Sequence, residues 1–356
     1  MNHDQLAAGL LDAVRAQDFG ATADARLGGA TVAHFPSLDL AVAAFPRRGA
    51  PVWANVLFSR EHPQGLVAGI GPDASAVRDV HYLADVRDER GESFAWAPDS
   101  DWSRIPWRTL HGQGPRRVVA PYPASLLKMM VAVGVAMAAD EGLLDWPQVD
   151  AAMARMITVS DNDATTEMVA LMHRHRMIEP LHRRLMHCGL PTLRLAGTRA
   201  DGGWGNAAGA GVGMIQMTAW DSVRLMWLLD AQVPPPPWLP AGTVLVSEQA
   251  RLRLRGWLDG QQLHEILSSQ SLAGVPGWVP GLPSTLRFAH KTGTTENYAS
   301  DAGIVQALPP QQRHYLVAVL TNLGRRYAPH ERCATTWRLP ALGAALDALL
   351  APWLES

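Results

Sequence analysis

The chain contains two lysines, Lys128 in PYPASLLKMM and Lys291 in AHKTGTT, and every other basic side chain among its 31 Lys+Arg is arginine. The two side chains differ in one respect that matters for chemistry. A desolvated amine loses its proton near neutrality and can then accept one from a hydroxyl, whereas guanidinium stays charged. Lys128 follows Ser125 by three residues, so a helix puts the amine and the hydroxyl on one face. Pro121 and Pro123 rigidify the approach to that helix, placing Ser125 in its first turn, where free N–H groups favour developing negative charge. S-x-x-K is a common tetrapeptide, and its lysine can simply cap a solvated face. The flank LLKMMVAVGVAM is apolar, however, and argues against solvent around this amine.

Two further stretches have bland readings when taken singly. Ser160, Asp161 and Asn162 in MITVSDNDATTEMV make a good helix N-cap cluster. Lys291, Thr292, Gly293 and Thr294 at the end of a strand read as a turn. Their coincidence alters the weighing: all three elements occur in this order, and both lysines fall within them. With Ser125-Leu-Leu-Lys128, Ser160-Asp-Asn162 and Lys291-Thr-Gly293 together, the chain resembles the class A serine β-lactamases and their penicillin-binding relatives. The resemblance covers residues 75 to 355.

That resemblance implies an α/β (α+β) fold of three layers, α/β/α, with a mainly antiparallel sheet and a helical insertion domain. It implies a serine hydrolase acting through an acyl-enzyme on a small-molecule acyl donor, a β-lactam or related amide. An acyltransferase, a DD-peptidase, an esterase, a sensor that stays acylated and an inactive relative are the alternatives. Ser125 is then the nucleophile and Lys128 its activating partner. Ser160 relays a proton to the leaving nitrogen, and Asn162 binds the substrate amide or Lys128. Lys291 and Thr292 meet a substrate carboxylate, and the N–H groups of Ser125 and Thr294, beside Gly293, form the oxyanion hole. No metal and no cofactor are called for.

The chain departs from the family pattern in three places. The interval from Ser125 to Ser160 is short, which predicts a more open cleft. No glutamate occurs between Glu179 and Glu248, where the family places the residue that clears the acyl-enzyme; Asp201 in TRADGGWGN either substitutes for it or belongs to a turn. The strand after Lys291 lacks the arginine that often helps to bind a carboxylate. His264, His290 and Arg287 could replace it, but each reads more readily as a structural or surface residue.

The elements that must position these residues can be read from periodicity. Leu6, Leu10, Leu11 and Val14 mark an amphipathic N-terminal helix, and PVWANVLF and GLVAGIG read as strands. VHYLADVRD, the turn ERG and ESFAWAPD predict a hairpin. Helices are expected through SLLKMMVAVGVAMAADEGLLD, Ala151–Met156, Ala164–His173, MTAWDSVRLMWLLD and LPALGAALDALLAPWL. LRFAHKTG, AGIVQAL and HYLVAVLTN read as strands, and Leu193 to Gly213 as a Gly-rich loop without regular structure. The expected domains are an N-terminal extension, 1–75, packed on the main domain or covering the site; a sheet domain, 76–120 and 240–356; and a helical domain, 121–239.

Composition, 47% hydrophobic and 18% charged with a formal net charge of -2, is that of a globular protein. It gives no reason to expect nucleic acid or an acidic membrane surface as partner. The N-terminus lacks a signal-peptide pattern, so a cytoplasmic location is expected. Cys188 and Cys333 are expected to be reduced, packed thiols.

Overall fold

The computed structural model describes residues 1–97, 99–307 and 313–355. Helix α1 (His3–Arg15) starts at Asn2, whose side chain accepts from the Gln5 N–H while the Asn2 N–H donates back to the Gln5 side chain. Strands β1 (Leu38–Ala44), β2 (Val52–Phe58) and β3 (Leu66–Val67) follow. Then come β4 (Val80–Ala84), β5 (Arg108–His111) and β6 (Arg116–Ala120). The middle of the chain forms α2 (Lys128–Asp140), α3 (Trp146–Thr158), α4 (Asn162–Arg174) and α5 (Ile178–His187). A short ribbon, β7 (Arg194–Leu195) and β8 (Ile215–Gln216), precedes α6 (Ala219–Leu229) and α7 (Glu248–Asp259). Strands β9 (Leu286–Thr294), β10 (Ala299–Ala307) and β11 (His314–Thr321) lead to α8 (Arg338–Leu354).

The main sheet has the order β3-β2-β1-β11-β10-β9, with every pairing antiparallel. Alternation sorts its side chains into two cores. Leu38, Leu40, Val42 and Ala44 of β1 join Leu6, Leu10 and Val14 of α1 and Leu342, Leu346 and Leu350 of α8. Ala41 and Ala43, small residues on the other face, join the core that holds Val223, Met226 and Trp227 of α6. Both faces of β1 and β2 are therefore covered, and the architecture is the expected three layers.

The first 75 residues are not an extension. They supply two central strands and a covering helix, and every residue of β1 and β2 is buried between neighbours on both faces. Nor do residues 76–120 join the main sheet. They form a separate three-stranded sheet of order β5-β4-β6, in which β4 and β6 run parallel. Helix α6 packs on β1, β10 and β11, so the sheet's covering layer reaches into the stretch assigned to the helical domain.

The predicted hairpin also differs. Among the described residues the two arms pair as an isolated bridge, Arg87 to Ser93, and not as a strand ladder. The cause is Asp85, a buried hub that accepts from Ser93 Oγ (2.6 Å), Trp96 Nε1 (3.1 Å) and Tyr298 OH (2.5 Å). It draws the second arm inward, where Trp96, Trp102 and Trp107 pack with Leu83 and Val119. Pro98 of that arm and Leu308 of AGIVQAL lie outside the described residues. The expected helices form near their places, whereas α5 and α7 were not anticipated, and both cysteines are buried and unpaired by disulfide. No helix among the described residues is long and apolar enough to cross a membrane.

Candidate active site

Strand β6 delivers the chain to a 3-10 turn, Ala124–Leu127, that continues directly into α2. Ala124 holds a left-handed φ of 49° just before the half-buried Ser125. A non-glycine residue in that region costs about 1–3 kcal/mol and persists only where its surroundings enforce it. The enforcement comes from β9. A Cβ on Gly293 would lie 2.3 Å from Pro123 O and 2.6 Å from Leu126 N, so only glycine lets the strand meet the turn. Ser300 Oγ, on the neighbouring β10, donates to Pro123 O at 2.5 Å. The glycine of the third motif thus seats the serine of the first.

Helix α2 is buried nearly all round, from Lys128 to Ala138. Its Lys128 amine points across to the start of α4. Nζ lies 2.6 Å from Ser160 O, 2.8 Å from Asn162 Oδ1, 3.1 Å from Ser160 Oγ and 3.4 Å from Asp161 O. Lys291 Nζ approaches the same hydroxyl from β9, 3.0 Å from Ser160 Oγ, and donates to Thr292 O at 2.7 Å. Ser160 has a left-handed φ of 58°. The cluster caps the helix as well, since Asp161 accepts from Ala164 N at 3.0 Å. The N-cap is made by Asp161, while Ser160 and Asn162 of the same tripeptide meet the lysine amines.

Burial pushes Lys128 down to about 7, against the opposing pull of Asp161. Lys291 lies well below the ordinary amine value, from burial first and the Lys128 charge second, against Asp301 and Glu265. A neutral amine carries two hydrogens and one lone pair. At Lys128 the two closest carbonyl-type acceptors, Ser160 O and Asn162 Oδ1, take the hydrogens, which leaves the lone pair for a hydroxyl. Ser160 Oγ, set between two amines, can donate to one and accept from the other. The arrangement can therefore move a proton along Lys128, Ser160 and Lys291. Ser125 Oγ is not among the hydrogen-bond partners of Lys128; catalytic hydrogen bonds often tighten only when substrate arrives.

Thr292 is buried beside Lys291, and Thr294 is half-buried at the end of β9. His290 is not available to a substrate carboxylate. It is buried, with Nδ1 2.7 Å from Asp301 Oδ1 and Nε2 3.0 Å from His264 Nδ1. Arg287 is exposed and turned toward Asp259 at 3.9 Å. Asp201 is an exposed turn residue, accepting from Gly203 N (3.0 Å) and Arg199 Nε (3.2 Å). These bonds, Gly203 N–H first, hold its carboxyl below the usual range.

Sequence reasoning passed over Trp204. Its ring centroid lies 5.5 Å from Lys128 Nζ, and its Nε1 donates to Thr166 Oγ1 at 3.2 Å. The one available signal was a large aromatic residue in the middle of GGWGN, where nothing local demands bulk.

A sequence profile described as the Beta-lactamase enzyme family matches residues 147–336, just over half of the chain. The match includes Ser160, Asn162 and Lys291–Thr294 and begins after Lys128. The chain is similar in fold to the TLA-1 extended spectrum beta-lactamase, 12% identical over 100% of both chains with a TM-score of 0.52. It is also similar to a beta-lactamase from Sphaerobacter thermophilus DSM 20745, 14% identical over 96% of this chain and 97% of that one, TM-score 0.50. No curated protein matches it by sequence.

Proposed function

Because the chain belongs to the beta-lactamase enzyme family, we propose that it is a serine hydrolase opening a β-lactam or related amide through an acyl-enzyme on Ser125. The observation that carries this reading is the joined set Lys128–Ser160–Lys291, with the Lys128 amine brought to about 7 beside the turn that bears Ser125. In the first step Ser125 Oγ bonds to the substrate carbonyl carbon and its proton passes to the Lys128 lone pair. The oxyanion is met by the N–H groups of Ser125 and Thr294, each such donor contributing about 3 kcal/mol. The carbon–nitrogen bond then breaks, and Ser160 hands the proton to the leaving nitrogen. Lys291 and Thr292 receive a carboxylate on the substrate, and Asn162 orients Lys128.

Intact-protein mass spectrometry after mixing with benzylpenicillin or a chromogenic cephalosporin tests the reading. Wild type should gain the mass of the opened lactam, and Ser125→Ala should gain nothing while melting normally. An adduct retained by Ser125→Ala would put the nucleophile elsewhere. One observation favours a second reading, transfer of the acyl group to an acceptor other than water: Asp201, the acid in TRADGGWGN, is bound to its own turn. An adduct that clears faster when an amine acceptor is added would mark that branch.

A further inference from the structure

The loop between β7 and β8 passes over the Lys128 amine, and what it presents there is an indole. Two anchors fix that choice. On one side Arg199, Gly202 and Gly203 close a tight turn, Arg199 N to Gly203 O and Gly202 N to Arg199 O, both 2.9 Å. Gly202 has a φ of +91°, and a Cβ there would lie 2.3 Å from Thr166 O, so the turn sits directly on α4. On the other side Asn206 Nδ2 donates to Gly91 O at 2.5 Å, and Arg87 binds Ala210 O and Gly209 O at 2.5 and 3.0 Å. Trp204, between the anchors, is held to Thr166 by its own N–H. The Asp201 carboxylate is spent on Arg199 and Gly203 N. That of Asp161 is spent on Ala164 N and Arg155.

We infer that Trp204 is a positioning residue that roofs the Lys128 amine, keeps water off it, and so makes an acyl group on Ser125 slow to hydrolyse. The inference rests on the acyl-enzyme reading above. Hydrolysis requires water oxygen to bond to the ester carbonyl, the carbon–Oγ bond to break, and one water proton to return to Oγ. Lys128 is the group in place to carry that proton, so the space beside its amine is where the water must be held. An apolar ring fills part of that space, and neither Asp201 nor Asp161 has an oxygen committed to ordering a water there.

Two measurements test it. The first is the lifetime of the benzylpenicillin adduct, followed by intact mass, for wild type, Trp204→Ala and Trp204→Phe. Trp204→Ala should shorten it on the order of tenfold, and Trp204→Phe, which keeps a flat apolar cover, should stay near wild type. The second needs no substrate. With two lysines in the chain, carbon-13 lysine NMR gives two side-chain titrations. The charged groups facing Lys128 are Asp161 on α4 and Lys291 on β9, and both remain in every variant. Opening the roof should move the Lys128 titration upward, toward that of an ordinary lysine, in Trp204→Ala alone. A correctly folded Trp204→Ala with unchanged adduct lifetime and unchanged Lys128 titration overturns the inference, as does a Trp204→Phe that behaves like Trp204→Ala. Absence of any wild-type adduct would strike the acyl-enzyme reading instead, and the titration would still report on the roof.

Discussion

In the proposed mechanism Lys128 contributes a lone pair. Ser160 O and Asn162 Oδ1 hold the amine's hydrogens, and burial keeps the third proton off near neutrality. Lys128→Arg keeps positive charge but has no accessible neutral form. It should slow acylation by about a hundredfold or more, the scale of a lost general base, as read from the rate of adduct formation. In the proposed mechanism the neutral amine is the active form, so acylation should fall as pH drops through about 7. Asp161 raises the Lys128 value, and asparagine caps a helix as well as aspartate does. Asp161→Asn should therefore move the acid limb to lower pH; a limb that stays in place would show that some other group titrates. The meeting of Lys128, Ser160, Asn162 and Lys291 was legible in the sequence from the types and order of the three motifs. Trp204 was not, because an aromatic ring acting across a loop leaves no periodic trace.

At the level of elements, the site depends on a strand touching a turn with no side chain between them. Gly293→Ala would drive a methyl group into Pro123 O and Leu126 N, both backbone atoms with little room to yield. Overpacking of this kind costs about 1–3 kcal/mol. The expected result is a lower melting temperature together with loss of adduct formation, since the displaced turn carries Ser125. A variant that melts normally and acylates at the wild-type rate would contradict the contact. Periodicity revealed α2, α4, α8 and the strands of the third motif, whose apolar spacing is long and regular. It misjudged the arm after Asp85, because the fate of that segment is decided by one buried carboxylate and its partner Tyr298, far away in sequence. It read Leu193 to Gly213 as a loop without regular structure, which holds apart from β7 and one 3-10 turn, but the tertiary bonds of Arg87, Asn206 and Thr166 that tie this loop down are beyond what local composition can show.

Across the whole molecule, two buried carboxyls tie separate parts together. Asp39 joins β1 to Asn55 on β2 and to the start of α6 through Ala219 N, at 2.7 and 2.9 Å. Asp85 joins the small sheet to Tyr298. Burial pushes both up to about 6. Their folded values are raised, so each contributes stability that is present below the unfolded value and lost as pH rises through about 6. For Asp85 the difference is worth about 3 kcal/mol at most. Asp85→Asn should accordingly gain on wild type as pH is raised from 4 to 7, measured by urea midpoints at both values. A constant gap would mean that the carboxyl titrates in the native state as it does in the unfolded chain.

The seam of the main sheet joins a strand that a ribosome delivers early to one that it delivers late. Leu38–Ala44 pairs along its whole length with His314–Thr321, so the hairpin made first lacks one of its two flanking partners until nearly all of the chain has emerged. Such distant pairing slows folding and leaves an apolar edge open in the interim. A nascent chain arrested before β11 should therefore be held by chaperones or aggregate, and native protease resistance should appear only once that last strand is free of the exit tunnel.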